Sequence, residues 1–259
     1  MTDQGQSGRP TAIEIYERVR QDARVELERQ PPALAFSGLF AGFTLGATAV
    51  AYATVLDSLD GAAAATLVAS LLYPIGYVGA IIGRAQLFTE NTLYPVVLTF
   101  DDRRYLVGTA RLWAIVLAAN LVGALLFALI VAQSPALPGG VRDMVATLGH
   151  RSVAGTTWHT FWSAVLAGWL LALVAWLVEA TDAAIGRLAV VWAITLVVGL
   201  LALDHSIASA VGTWTALLRG DVDAGPALGW EAMTILGNVF GGVLIVSLAN
   251  YGQVRAGED

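Results

Sequence analysis

The chain contains no cysteine and no lysine. The first absence excludes disulfides, thiolate metal centres and cysteine nucleophiles. The second means that all 14 basic residues are arginine, a bias that, with abundant Ala, Val and Gly, suggests a GC-rich genome. Charge is scarce in general: only 13% of residues are charged, the formal net charge is -6, and mean hydropathy is +0.68. A secretory leader pattern is also missing, because the first thirty residues are polar and carry both signs of charge rather than a short basic start and an apolar centre. No paired catalytic carboxylates, nucleophile motif or phosphate loop stands out, so an enzyme is not expected. Neither a cofactor nor a nucleic-acid partner is expected either.

What is present is apolar length. With 57% hydrophobic residues in 259, the chain has more apolar surface than one water-soluble core needs. Runs of about twenty residues match the roughly 30 Å hydrocarbon core of a bilayer, and helices are the form in which a single segment satisfies its own backbone there. Six such runs occur: Leu34 to Leu56, Ala62 to Gly83, Leu112 to Ala132, Phe161 to Val178, Leu188 to Leu203 and Ala232 to Ala249. Two pieces too short to cross alone follow the second and fifth runs, Thr92 to Phe100 and Ile207 to Leu218. The expected organisation is a cytoplasmic segment over residues 1–32, a six-span domain over 33–252 and a cytoplasmic tail over 253–259. Placing both termini in the cytoplasm leaves ten arginines inside against three outside, with Arg84 in or near the membrane. Residues 11–30 put Ile15, Val19 and Val25 in a charged helical pattern that ends at Pro31 and Pro32. This predicts either an amphipathic helix lying on the cytoplasmic face or a solvated helical tail.

The two halves of the chain echo each other. Asn-x-x-Gly recurs at Asn120 and Asn238, an offset of 118, and "FSGLFAG" ending at Gly42 matches "FWSAVLAG" ending at Gly168, an offset of 126. Each half, about 33–132 and 157–250, then holds three spans with the second one interrupted. Three is odd, so the halves must enter the membrane in opposite senses, which makes an inverted repeat with broken helices 2 and 5. Gly38, Gly42 and Gly46, and Gly237, Gly241 and Gly242, fit close backbone approach between helices.

Paired interruptions point to a transport site, since freed backbone groups there line a cavity. The second interruption holds His205, at the position matching Leu87 in the first. It is either an interfacial histidine or a conduit group able to lend a hydrogen bond or a proton, its ordinary pKa being about 6.5. Arg84 and Glu90 flank the first interruption; they sit either paired at a membrane surface or beside a pore whose field they set. Leu87 and Phe88 at its tip are packing residues or an apolar gate. His159, between Trp158 and Trp162, lies at the outer start of the fourth span. His150 and His159 lack a carboxylate cluster or helical-face spacing, so no metal site is expected.

Together "QLFTENT", "DHSIAS", "HTFWSAVLAG" and "GNVFGG" resemble the formate/nitrite transporter family, over nearly all of the chain from about residue 30 to 252. The resemblance implies an all-α, aquaporin-like fold of six spans, assembled as a homopentamer in the cell membrane, with a pore through each protomer. It also implies passage of small monovalent anions of weak acids, such as formate, nitrite and hydrosulfide, with proton involvement. It assigns Leu87, Phe88 and Thr89 to the loop lining one hydrophobic constriction, His205 to the central pore histidine, and Asn238 to a polar residue on the pore-facing side of span six. The pattern departs from the family's at several places. Where the family commonly has Gly-Ala-Glu-Leu-Phe-Thr, this chain has Arg84, Ala85, Gln86, Leu87, Phe88 and Thr89, followed by Glu90; Ser209 replaces an asparagine, and His159 replaces the vestibule lysine. A mostly neutral histidine attracts anions less than an ammonium does, so altered selectivity is expected, with a neutral or cationic solute, or a non-conducting sensor, as alternatives.

Overall fold

The computed structural model describes residues 10–59 and 62–257, so Arg9, counted above, lies outside them. Helix α1 (Ala12–Glu28) starts at a capping box, in which Glu14 N donates to Thr11 Oγ1 at 3.2 Å and Thr11 N donates to Glu14 Oε2 at 2.6 Å. The bonds that the Glu14 carboxylate accepts, from Thr11 N foremost and from Thr11 Oγ1 at 3.0 Å, hold its pKa below the ordinary value. The helix ends at Arg29, and Pro31 opens α2 (Pro31–Thr44), where a missing N–H costs nothing. After a turn at Leu45, α3 (Gly46–Ser58) completes the first run. Then come α4 (Ala65–Ser70), α5 (Ile75–Ile81), α6 (Tyr94–Asp101), α7 (Leu106–Gln133), α8 (Gly139–Ala154), α9 (Thr157–Glu179), α10 (Ala184–Leu200), α11 (Ala208–Arg219), α12 (Ala224–Phe240), a π-helical segment Gly241–Ser247 and α13 (Leu248–Ala256).

Among the described residues four helical stretches are long and apolar enough to cross a membrane: Pro31–Ser58, Arg103–Gln133, Thr157–Glu179 and Ala224–Ala256. The second and fifth runs give shorter apolar helices, Ala65–Ile81 and Ala184–Leu200, each followed by a break and a short helix, α6 and α11. The second run is therefore not the continuous helix that 22 largely apolar residues suggest. A turn over Leu71 to Pro74 divides it, since Pro74 has no N–H to continue the helix from α4 and instead precedes α5.

The repeat is present in three dimensions at the predicted offsets. A Cβ on Gly42 would lie 2.0 Å from Asn120 O, and one on Gly168 would lie 2.1 Å from Asn238 O. Gly123 and Gly241 correspond in the same way: a Cβ would meet Leu39 O at 2.3 Å in the first case and Val165 O at 2.0 Å in the second. Helix pairs α2 with α7 and α9 with α12 thus cross at backbone contact, glycine against main chain.

The repeat also extends beyond the boundaries 33–132 and 157–250. Shifting α1 by 126 residues places it on 138–154, the position of α8. This helix lies in what the run count leaves as a loop, because its apolar stripe is too short and too polar to register as a span. Helix α1 packs on α6, and α8 packs on α11, so each half opens with a helix covering the short helix of a break. The stripe of α1 accordingly faces the protein: Ile15, Tyr16 and Val19 join Leu93, Val97, Trp176 and Val254 in one buried cluster, while Val25 remains exposed. Ion pairs complete the docking, with Asp101 held by Arg20 at 2.7 Å and Arg255 at 2.6 Å, and Arg18 on Asp182 at 2.7 Å.

Gly42→Ala and Gly168→Ala are each expected to cost at least about 1–3 kcal/mol, because the new methyl must push two helix backbones apart. Gly252→Ala, where a Cβ meets nothing within 4 Å, is expected to be neutral or stabilising. Thermal unfolding of the three purified variants in detergent checks the contrast.

Candidate functional site

Both breaks are built from the same parts. Helix α5 ends with Arg84 N donating to Ile81 O at 3.1 Å and Ala85 N to Ala80 O at 2.9 Å; in the second half Ala202 N donates to Gly199 O at 3.1 Å and Leu203 N to Val198 O at 3.0 Å. The turning residues, Arg84 at φ 55° and Ala202 at φ 49°, occupy the left-handed region that glycine usually fills, at about 1–2 kcal/mol each. Such strain persists only where the surroundings enforce it. Here two side chains per break do so. Ser37 Oγ accepts from Gln86 N at 3.1 Å, and Ser163 Oγ accepts from Asp204 N at 2.9 Å. Asn120 donates to Gly38 O and Gln86 O at 2.7 and 2.9 Å and accepts from Phe88 N at 2.9 Å. Asn238 donates to Ala164 O and Asp204 O at 2.8 and 3.2 Å and accepts from Ser206 N at 2.9 Å.

The two breaks meet at Thr89 and His205, both fully buried, with Thr89 Oγ1 2.9 Å from His205 Nε2. His205 Nδ1 accepts two backbone donors, Ile207 N at 3.2 Å and Ala208 N at 3.1 Å. That assigns the ring proton to Nε2, so His205 donates to the threonine oxygen and leaves the Thr89 hydroxyl proton to point elsewhere. Tyr77 packs edge-on against the imidazole, with ring centroids 5.4 Å apart.

A cavity lies on either side of this contact. One, of about 70 Å³, is bounded by the α1 side chains Asp22 and Glu26, by Arg84 to Leu87 and by Glu90, Asn91, Tyr94 and Glu179. The other, of about 380 Å³, is bounded among others by Tyr52, Tyr73, Arg151, His159, Asp204 and Ser209. Their linings are repeat counterparts: Asp22 and Glu26 correspond to Leu148 and Ser152, Arg84 to Ala202, Gln86 to Asp204, and Asn91 to Ser209. Charge separates them. The α1 side carries four carboxyl groups and one guanidinium, while the α8 side carries Arg151, His159 and one carboxyl.

The sequence-predicted residues sort accordingly. Leu87 borders the smaller cavity, whereas Phe88 turns away to pack with Leu34, Leu112 and Val116, its ring 5.7 Å from that of Trp113. Glu90 is buried rather than at a surface, and Arg84 pairs with Asp22 at 3.2 Å instead of with Glu90. Gln86 borders the same cavity while accepting from Asn91 Nδ2 at 2.9 Å. Ser209 and the exposed His159 border the larger cavity, and Ser209 Oγ accepts from His205 N at 3.1 Å. Asn238 differs from expectation: it is fully buried, borders neither cavity, and spends both ends of its amide on backbone, so it braces the break rather than facing a conduit. Asp22, Glu26 and Glu179 were not singled out by the sequence, because nothing local brings three distant segments to one mouth. Ser37 and Ser163 did carry a signal, at the offset of 126 inside the matched strings.

An inverted helical repeat whose two broken helices meet at a buried polar pair between opposed cavities defines a membrane transport protein, of the channel and transporter class. The family model described as "Formate/nitrite transporter" matches residues 13–252, and the chain belongs to that family. It is 30% identical over 247 residues to "Inner membrane protein YfdC" of Escherichia coli (strain K12), covering 94% of this chain and 79% of the relative. It is 28% identical to the "Probable formate transporter" of Methanothermobacter thermautotrophicus, covering 83% and 82%. Among solved structures, an "FNT family ion channel" superposes with a TM-score of 0.74 at 21% identity, covering 93% of this chain and 96% of that one. A "Pentameric formate channel with formate bound" gives 0.71 at 16% identity, covering 92% and 99%.

Asn120→Leu and Asn238→Leu each strand three backbone groups, and each is expected to lower stability by about 2–5 kcal/mol. Asn250→Leu, which loses one bond to Val246 O, is expected to cost less than half as much. Parallel melting curves in detergent test the ranking.

Proposed function

We propose that each protomer conducts a small monovalent anion of a weak acid, of the formate, nitrite or hydrosulfide type, coupled to a proton. The observation that carries this reading is the buried, direct Thr89–His205 contact between two cavities, whose donors can turn to a solute that replaces it. A bare anion in so apolar a passage would lose its hydration at a cost of many kcal/mol. Donation from Thr89 Oγ1 and His205 Nε2 offsets part of that cost, and transit as the neutral acid removes most of the remainder. Because Nδ1 is engaged by two backbone groups, His205 acts as a hydrogen-bond donor and the proton travels with the solute. Leu87 forms one apolar constriction and Arg84, Gln86 and Glu90 tune entry from the α1 side.

The arginine distribution supports an orientation with both termini in the cytoplasm and the α8 side outside, in a prokaryotic plasma or inner membrane. On this reading the chain crosses the membrane six times, twice by paired half-helices. Apolar side chains on the outer surface, such as Phe36 at 77% and Leu236 at 58% exposure, suit lipid and neighbouring copies in a homopentamer. The acidic lining of the smaller cavity favours a second reading, a pore for neutral or cationic solutes, since carboxylates there repel anions.

Stopped-flow uptake into proteoliposomes should fall at least tenfold in His205→Phe and Thr89→Val, with anion identity setting the wild-type rate. Equal rates in wild type and variants would remove the pair from the mechanism. A reversal potential that follows the cation gradient would select the second reading, and ligand-dependent thermal shifts without flux would indicate a sensor.

A further inference from the structure

The repeat exposes one place where the halves differ in kind. In the first half Leu34, Phe88, Leu112 and Val116 form an apolar cluster, with Trp113 packed against it. Their counterparts at the offsets of 126 and 118 are Thr160, Ser206, Trp230, Thr234 and Glu231, all of them buried. Glu231 is 4% exposed, and neither of its carboxyl oxygens has a hydrogen-bond partner; the hydroxyls of Ser206 and of Thr213, on the adjacent α11, have none either. Helix α12 is pinned to the break on both sides of this group. Trp230 Nε1 donates to Asp204 Oδ1 at 3.1 Å, and Asn238, two turns from Glu231 on the same face, holds Ser206 N at 2.9 Å.

The elements packed against α12 bring the following titratable or charged groups: Asp204 and His205 on the break, His159 and Glu179 on α9, Arg219 on α11, and Arg142, Asp143, His150 and Arg151 on α8. Among the described residues none forms an ion pair with Glu231: Arg219 is held by Asp143 at 2.7 Å and by Asp221 at 3.5 Å. A carboxylate buried with no cation costs several kcal/mol. A bound proton removes the charge, and with it the larger part of that cost.

We propose that Glu231 forms a buried proton-binding site behind the second break. The ligand is a proton, accepted by a carboxylate oxygen and released when water or solute enters the break beside His205. The tryptophan at the matching place in the first half cannot do this, so the site belongs to one half alone. As a coupling device it rests on the transport reading above; as a proton site it stands independently.

Infrared difference spectra of the full chain in proteoliposomes provide the test. A protonated-carboxyl C=O band, downshifted in D2O, is expected from pH 5 to 8 and should vanish in Glu231→Gln while surviving in Glu90→Gln. No such band at pH 7, or one unaltered in Glu231→Gln, would overturn the site. Should Glu231→Gln not accumulate as folded protein, Glu231→Asp decides instead: the shorter carboxyl in the same buried position should move the band, and an unmoved band counts against the proposal. Flux is scored separately, so a band assigned to Glu231 in a protein that conducts nothing would remove the transport reading and leave the proton site standing.

Discussion

A helix that stops inside an apolar bundle strands main-chain groups that water would otherwise satisfy, and the architecture depends on how those groups are met. Asn120 and Asn238 meet them. Each amide ties a preceding helix, through Gly38 O or Ala164 O, to the chain entering and leaving a break. The serines at 37 and 163 take one further N–H per break, and the glycines facing the asparagine backbones allow the helices close enough for the short amide arms to reach. Without that approach the left-handed turns at Arg84 and Ala202 would relax, and Thr89 and His205 would have no fixed distance between them.

Much of this was legible in the sequence, for a physical reason. Contacts that recur under an inverted repeat leave residues at constant offsets, so Asn120 with Asn238, and Gly42 with Gly168, pointed to one device used twice. What the device does is less legible: the resemblance assigns Asn238 to the conduit, and only its three backbone partners identify it as a brace. Hydropathy does not reveal helix α8, because it finds segments that face lipid while this one faces protein on one side. The α1 stripe was found, but a stripe alone does not say whether it meets lipid or a neighbouring helix; Trp176 and Val97 provide that answer. The acidic mouth was out of reach, since Asp22, Glu26, Glu90 and Glu179 converge only in three dimensions.

Departures from repeat symmetry are informative because the backbone frame is held constant. At equivalent positions the halves carry Glu26 and Ser152, Arg84 and Ala202, or Trp113 and Glu231, and these exchanges alter charge without altering how a break is held. The frame and the chemistry have therefore separated. Asn120 and Asn238, Ser37 and Ser163, and the glycine pairs Gly42 with Gly168 and Gly123 with Gly241 keep the same types in both halves, while many residues facing cavities or buried pockets do not.

The pairing of a four-carboxyl lining on one side with an arginine and a histidine on the other has a thermodynamic meaning. A passive path cannot choose the direction of net movement, which the gradients alone decide. Unequal mouths instead set where a charged solute waits: an anion is depleted at the acidic α1 side relative to the α8 side, where the charges of Arg151 and Asp204 oppose each other. Fluxes in the two directions then saturate at different concentrations, although their ratio at equilibrium is one.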